Sequence, residues 1–269
     1  MQEYEANCVE TIIVDSGSTD NTLDIAKEFN CKVVHLARES FSFGRSLNVG
    51  CEAATGQLLV FISGHCVPVD NLWLKKLVHP FNDVVTAISY GRQVGGPESK
   101  FSEHCLFQKY FPPHLQTGQS HYFCNNANSA LRKEYWQEQK FDESLTGLED
   151  MLLAKQFTQR NLNVQYVPEA AVYHFHHERW RQVKRRYERE AIALREIMPE
   201  IQVHWHDAFR YFCAGVLGDW SRAIQQKVYL RNFLQVIAFR FCQYYGTWRG
   251  FHAHRNLSKR EKDRYFYPN

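Results

Sequence analysis

Residues 10–36 read ETIIVDSGSTDNTLDIAKEFNCKVVHL, and the fold is decided here. The β-branched run at 10–14 stops at Asp15-Ser16-Gly17-Ser18, the pattern of a strand entering a turn. Thr19 or Asp20 is a candidate helix cap; Leu23, Ile25, Ala26 and Phe29 then recur at near-helical spacing, and 32–36 returns as a second short strand. This is a β-α-β start. Further along, 46–54 combines Leu47 and Val49 with Gly50, Ala53 and Ala54, a helix ended by Thr55-Gly56. The run LLVFIS at 58–63 is apolar throughout and ends at Gly64-His65-Cys66. Strands buried on both faces read this way in parallel sheets, and open α/β sheets bind ligands beyond their strands' carboxyl ends. Asp15 and His65 fall at such ends.

The same rules predict a helix over 71–81, strands over 87–90 and 92–95, and an irregular aromatic-rich stretch over 97–120 suited to a lid or acceptor wall. A helix starts near Leu148-Glu149-Asp150, with Asp150 in its first turn, and runs to 159. A short strand at 164–167 stops at Pro168, followed by Val172-Tyr173-His174 and a long helix to about 196. From 203 to 255 the pattern is helical and aromatic-rich, and the tail SKREKDRYFYPN is polar and loose. The expected division is an α/β domain over 1–177 and a helical extension over 178–269.

A chain of 269 residues, 44% hydrophobic and 23% charged, folds around a sizeable core. A net charge of +3 is too small to argue for nucleic acid, so any basic patch is local. One lies between Glu178 and Glu190, with six basic residues against three acidic ones, interleaved with Trp180 and Tyr187. A solvated helix face and a helix resting on an anionic membrane both fit it. The aromatic, basic segment at 229–251 adds to the membrane reading or packs on the core. The eight cysteines are scattered without a CxxC pair, which suits a reducing, cytoplasmic compartment. No apolar run reaches the ~18 residues needed to span a bilayer, so a membrane is met from its surface, at the inner face of the cell membrane.

In order and spacing these elements resemble family 2 glycosyltransferases of the GT-A fold, particularly bacterial rhamnosyltransferase-like members. The matching residues are VDSGSTDNT at 14–22, the strand and loop at 58–68, NNANSALR at 125–132, FDESLTGLEDMLLAKQ at 141–156 and VYHFHH at 172–177. The fold implied is α/β: a Rossmann-like, mixed but mostly parallel sheet flanked by helices, with a C-terminal helical extension. The activity implied is inverting transfer of a sugar from a UDP- or dTDP-linked donor to a cell-surface glycan or lipid-linked acceptor. Two departures stand out. The family's domain opens with a further strand and helix before the VDSGSTD strand, so the expectation is an N-terminally truncated domain. At the metal motif, Ser63-Gly64-His65 stands where the family shows Asp-x-Asp. A degenerate relative that binds glycan or a partner without turnover is therefore the second expectation. A nucleotidyltransferase ranks last, for want of a glycine-rich phosphate loop with a lysine.

Glycosyl transfer with inversion needs a base for the acceptor hydroxyl and stabilisation of the leaving diphosphate. The resemblance makes Asp150 the base, with Glu149 beside it; without it, both acids complement a helix dipole. Asp15, at a strand end, suits the nucleotide base or ribose, as against a turn-forming aspartate, and Ser16 and Ser18 share its loop. Arg45 offers a bidentate fork to phosphate; with Asn48, Arg38 and Ser42 it lies in the family's diphosphate-approaching segment, or in a solvated loop with a helix cap. Ser63 and Gly64 complete the donor set, and Asn126 and Asn128 line the sugars or simply a turn. The implied cofactor is a divalent cation, Mn²⁺ or Mg²⁺, with His65 and His174 as metal or diphosphate ligands and His176 and His177 as further donors. Packed or surface histidines are the ordinary alternative.

Overall fold

The computed structural model describes residues 2–5, 8–115 and 122–253. The chain forms two compact units, one built from the stretches up to Gln93, Phe111–Leu145 and Glu149–His174, the other from Val94–Tyr110, Thr146–Leu148 and the chain from Phe175 onward. The expected change of character at 177 lies close to the passage at His174, while 94–110 and 146–148 join the second unit as well.

The first unit is α/β. Strands β1 (Ile12–Asp15) and β2 (Lys32–His35) flank helix α1 (Thr22–Glu28) in sequence and pair in parallel, the predicted β-α-β start. Helix α2 (Phe43–Ala53) begins where the Ser42 hydroxyl accepts the Arg45 N–H at 3.2 Å. A five-stranded sheet follows in the order β3-β6-β5-β7-β4, with β3 (Leu58–Ile62), β4 (Cys66–Pro68), β5 (Thr86–Gly95), β6 (Asn128–Arg132) and β7 (Asn163–His174). The pairs β3–β6, β5–β6 and β4–β7 are antiparallel, so with the parallel β1–β2 the strand pairing of the unit is mixed as expected, but it is not mostly parallel. The physical source is local: β4 turns straight back off the 63–66 turn, and β6 runs against both of its neighbours.

Three boundaries differ from expectation. The strands predicted at 87–90 and 92–95 are one, because Gly91 continues β5 instead of breaking it. A Cβ there would lie 2.1 Å from the Ala170 carbonyl oxygen and 2.4 Å from Asn128 Nδ2, so the glycine permits a close backbone approach. β7 likewise passes through Pro168, which lies outside the pairing of Val172–His174 with β4. Helix α3 (Trp73–Val78) is shorter than predicted and gives way to a 3₁₀ turn at His79–Asn82. It buries Trp73, Leu74 and Leu77, with Phe81, against Ala130, Ala170 and Val172, each large side chain contributing roughly 1.5–3 kcal/mol. Helices α5 (Lys133–Glu138) and α6 (Glu149–Gln159) complete the unit.

The second unit is helical: α4 (Phe101–Tyr110), α7 (Trp180–Ile197), α8 (Trp205–Gln225) and α9 (Tyr229–Phe251). Helix α4 thus occupies 101–110 of the irregular stretch expected over 97–120, and 116–121, like the tail 258–269, lies outside the described residues. Helices α7 and α9 come close enough that a Cβ on Gly250 would lie 2.3 Å from the Glu188 carbonyl. Their charges are used internally. Arg186 pairs with Glu103 at 3.0 Å and Glu178 at 2.8 Å, and His176 meets the same Glu103 oxygen at 3.1 Å. Arg240 grips Asp219 through two 2.7 Å hydrogen bonds and donates a third to Gln243. Helix α7 is accordingly no free basic surface. Of its predicted patch, Lys184, Arg185, Arg186 and Arg189 are partly buried and only Arg179 and Arg181 are exposed.

Candidate functional site

Asp150, at the start of α6, and the histidines at the start of β4 and the end of β7 are joined through Asn125, Asn126 and Gln93. Asp150 sits in the first turn of α6, 6% exposed. Its Oδ2 accepts the Asn126 N–H at 2.6 Å and its Oδ1 the Met151 N–H at 2.7 Å. Both oxygens thus act as acceptors of backbone donors. Cys124 lies close by, and its thiol is pushed well up by burial and then by the Asp150 charge. Glu149 is buried beside Asp150. Immediately before them Leu148 has φ of 57°, a left-handed conformation that costs a leucine about 1–2 kcal/mol.

The histidine pair follows from register. The β4–β7 pairing sets Cys66 opposite His174, and His65 immediately precedes Cys66. The rings of His65 and His174 come to 4.8 Å between centroids, tilted by 34°, and Ser63 Oγ lies 3.3 Å from His65 Nδ1. Burial pushes the Cys66 thiol up to about 12, so it is an inert neighbour at neutral pH. His174 is buried and His65 exposed, so one nitrogen donor is fixed and one can adjust. Imidazole donors fit Mn²⁺ or a softer ion, whereas Mg²⁺ prefers an all-oxygen shell; of the two expected cations the side chains present suit only the first. Within the second unit, His176 Nδ1 meets Glu103 at 3.1 Å and His177 pairs with Glu98 at 3.3 Å.

Asp15 turns its carboxylate onto its own loop, accepting the N–H groups of Gly17 at 3.1 Å and Ser18 at 3.0 Å. The Ser18 hydrogen bonds, side chain first, hold its carboxyl below the usual range. Ser16 and Ser18 lie at the surface of that turn, and Gly64 is exposed on the next. Arg45 keeps 47% of its side chain exposed and touches Glu143 at 3.5 Å.

Two expectations fail. Asn48 is no ligand for a nucleotide: its Nδ2 donates to the Phe141 carbonyl and Glu143, and its Oδ1 accepts from Trp136 and the Phe141 N–H, which fills its hydrogen-bonding capacity. Asn128 is no acceptor-site residue either. Fully buried, it donates to the carbonyls of Arg92 and Ala170 and accepts from Trp73 Nε1, stitching the sheet to α3. Asn126, by contrast, reaches the site through its backbone bond to Asp150, while its side-chain oxygen accepts from Ser129.

Sequence reading missed Gln93 and Asn125. Gln93 Oε1 meets His174 Nδ1 at 2.7 Å, and its Nε2 donates to Asn125 Oδ1 at 2.9 Å. The available signal was a glutamine near the end of an otherwise buried strand, where an amide needs partners.

A family model described as "Glycosyl transferase family 2" matches residues 2–138. Among curated proteins, the chain is 26% identical over 188 residues to the O-antigen chain rhamnosyltransferase RfbN of Salmonella typhimurium, covering 65% of this chain and 60% of the relative. It is 26% identical over 189 residues to the O-antigen chain rhamnosyltransferase WbaN of Salmonella anatum, covering 65% and 59%. The chain thus spans about three fifths of the length of these relatives. Among solved structures, the mannosyltransferase PcManGT from Pyrobaculum calidifontis, in complex with GDP-Man and Mn²⁺, superposes with a TM-score of 0.60 at 14% identity, over 93% of this chain and 77% of that one. S. aureus TarS 1–349 in complex with UDP gives 0.53 at 18%, over 92% and 83%. At these identities the structural likeness is one of fold.

Proposed function

The chain belongs to glycosyl transferase family 2, and from that premise we propose that it transfers a sugar, with inversion, from a nucleoside diphosphate donor to a glycan or lipid-linked acceptor. The observation that carries this is Asp150, a buried carboxylate whose two oxygens accept backbone N–H groups at a helix start. In the proposed step an acceptor hydroxyl gives its proton to Asp150 as its oxygen attacks the anomeric carbon. The bond from that carbon to the diphosphate oxygen breaks on the opposite face, and the nucleoside diphosphate leaves with the electron pair. A divalent cation bound by His65 and His174 would supply charge neutralisation for the leaving diphosphate. Arg45, exposed beside the Ser42 cap, would bind phosphate in the same reading, and the Asp15 loop the nucleoside. The likeness to O-antigen chain rhamnosyltransferases supports rhamnosyl transfer, and the donor in this reading is a UDP- or dTDP-linked sugar.

Asp150→Asn tests the base. Donor affinity by calorimetry is expected to stay near that of the wild type while turnover falls by about 10²–10⁴-fold; unchanged turnover would remove Asp150 from the mechanism. Wild-type protein that binds UDP or dTDP but transfers nothing to any glycan or lipid-linked acceptor would favour the binding-only reading.

Among the described residues no helix is long and apolar enough to cross a membrane. Contact with a lipid-linked acceptor is proposed through α9 instead of α7. Leu230 (90% exposed), Leu234 (73%), Phe241 and Tyr245 follow one face of α9, a helix without an acidic residue, with exposed Arg231 nearby. The acids of α8 are already paired, Asp219 with Arg240 and Asp207 with Arg210. Such a face suits an anionic lipid surface.

A further inference from the structure

The hydrogen bonds around Gln93 fix which nitrogen of His174 carries its proton. The chain of reasoning starts at a donor whose identity is certain, the backbone N–H of Ala127, which lies 3.0 Å from the Asn125 side chain. The atom it meets is therefore the Asn125 oxygen. That oxygen also faces the Gln93 amide at 2.9 Å, so Gln93 presents its nitrogen there as a donor. Gln93 must then turn its oxygen toward His174 Nδ1, 2.7 Å away, and an oxygen that can only accept requires a proton on Nδ1. Gln93 is 2% exposed, so water is poorly placed to scramble the arrangement.

We propose that Gln93, itself held by Asn125, is a positioning residue that keeps His174 in the Nδ1–H tautomer and so makes Nε2 the unprotonated nitrogen, ready to ligate a divalent cation together with His65. This rests on the donor-site reading of the histidine pair, and it goes further in deciding between the two roles left open for His174. A neutral ring with Nδ1–H committed to Gln93 offers a lone pair at Nε2, which suits a cation and not a diphosphate oxygen. An amide oxygen behind a ligating imidazole also fixes its ring plane and raises its basicity, the usual contribution of outer partners to a metal site. The separation of the rings, 4.8 Å between centroids, is compatible with both sharing one ion after a small movement of exposed His65.

The direct test needs neither donor nor turnover. Two-bond ¹H–¹⁵N correlation spectra of the wild-type protein, recorded without metal above the ordinary imidazole range of about 6.5, should show His174 with a protonated Nδ1 and a pyridine-type Nε2. A ring protonated at Nε2 would overturn the proposal without any variant being made. In Gln93→Met, of similar volume but without the acceptor, the tautomer preference should weaken and Co²⁺ affinity, read from its visible absorption, should fall about 10–100-fold. Gln93→Glu, which retains an acceptor, should restore the Nδ1–H tautomer and most of the affinity. Unchanged Co²⁺ affinity in Gln93→Met would overturn the assignment. Loss of sugar transfer with the tautomer and Co²⁺ affinity intact would count against the proposed reaction and leave the role of Gln93 standing.

Discussion

The two units bury polar groups in different ways. In the α/β unit, apart from the candidate-site carboxylates Asp15, Glu149 and Asp150, the interior is crossed by neutral amide networks: Asn48 at the α2 wall, Asn128 across the sheet, and Gln93 with Asn125 behind His174. In the helical unit they are ions: Glu103 with Arg186, Glu178 and His176, and Asp219 with Arg240. Neutral amides give direction, since each donor and acceptor is distinct, and they do not change with pH or salt. Buried ions hold helices through stronger but less directional forces, and they punish the loss of one partner. The unit that carries the candidate chemistry uses the kind of bond that fixes orientation, and the unit that does not uses the kind that fixes packing.

That contrast can be broken at three places. Arg240→Met leaves the Asp219 carboxylate, 1% exposed, without its counter-ion; urea unfolding should show a loss of about 3–5 kcal/mol, and the double variant Arg240→Met with Asp219→Leu should recover most of it. A single variant that unfolds like the wild type would show the helical unit does not depend on its ions. Asn128→Ala removes the hydrogen bonds that the side chain makes to Trp73 Nε1 and to the carbonyls of Arg92 and Ala170. Groups of this kind cost about 1–3 kcal/mol each before relaxation, so a net loss of about 2–3 kcal/mol is expected, the same at pH 5 and pH 8. A pH-dependent loss would contradict the neutral character of the network. The smallest effect concerns Glu103. Burial pushes its carboxyl up, but the His176 hydrogen bond and the Arg186 charge outweigh this and hold it below its ordinary value. Its contribution is therefore complete above the usual carboxylate range, about 4.3, and is lost as pH falls through the lower folded value. Glu103→Gln should flatten the acid limb of a stability profile below that range and leave its shape near neutrality unchanged.

Elements with a clear period were legible in the sequence. The β-α-β start, the apolar β3, the helix carrying Asp150 and the three long helices follow from local spacing. What escaped depends on distant partners. Gly91 and Pro168 read as breaks, and both lie inside strands because the neighbouring backbone, not the local preference, decides. Asn48 and Asn128 stand in loops and motifs that suggest ligands, yet their amides serve contacts 93 and 42 residues away in sequence. The basic run of α7 looked like surface because sequence cannot show that Glu103 waits for Arg186. Of the candidate site, the carboxylates and the two histidines could be named from the chain, but the residues that orient them could not.

The register that sets Cys66 opposite His174 also builds a reporter into the protein. Cys66 is buried in the core with Trp73, Leu74 and Leu77 and its thiol stays protonated at neutral pH, so its reaction with a disulfide reagent waits on local opening of that core. Its modification rate under native conditions would therefore measure the free energy of that local opening, and a ligand that holds His65 to His174 would slow the reaction by the amount it stabilises the closed form. The local breathing of the histidine pair can thus be followed through a natural thiol, without a label placed at the site itself.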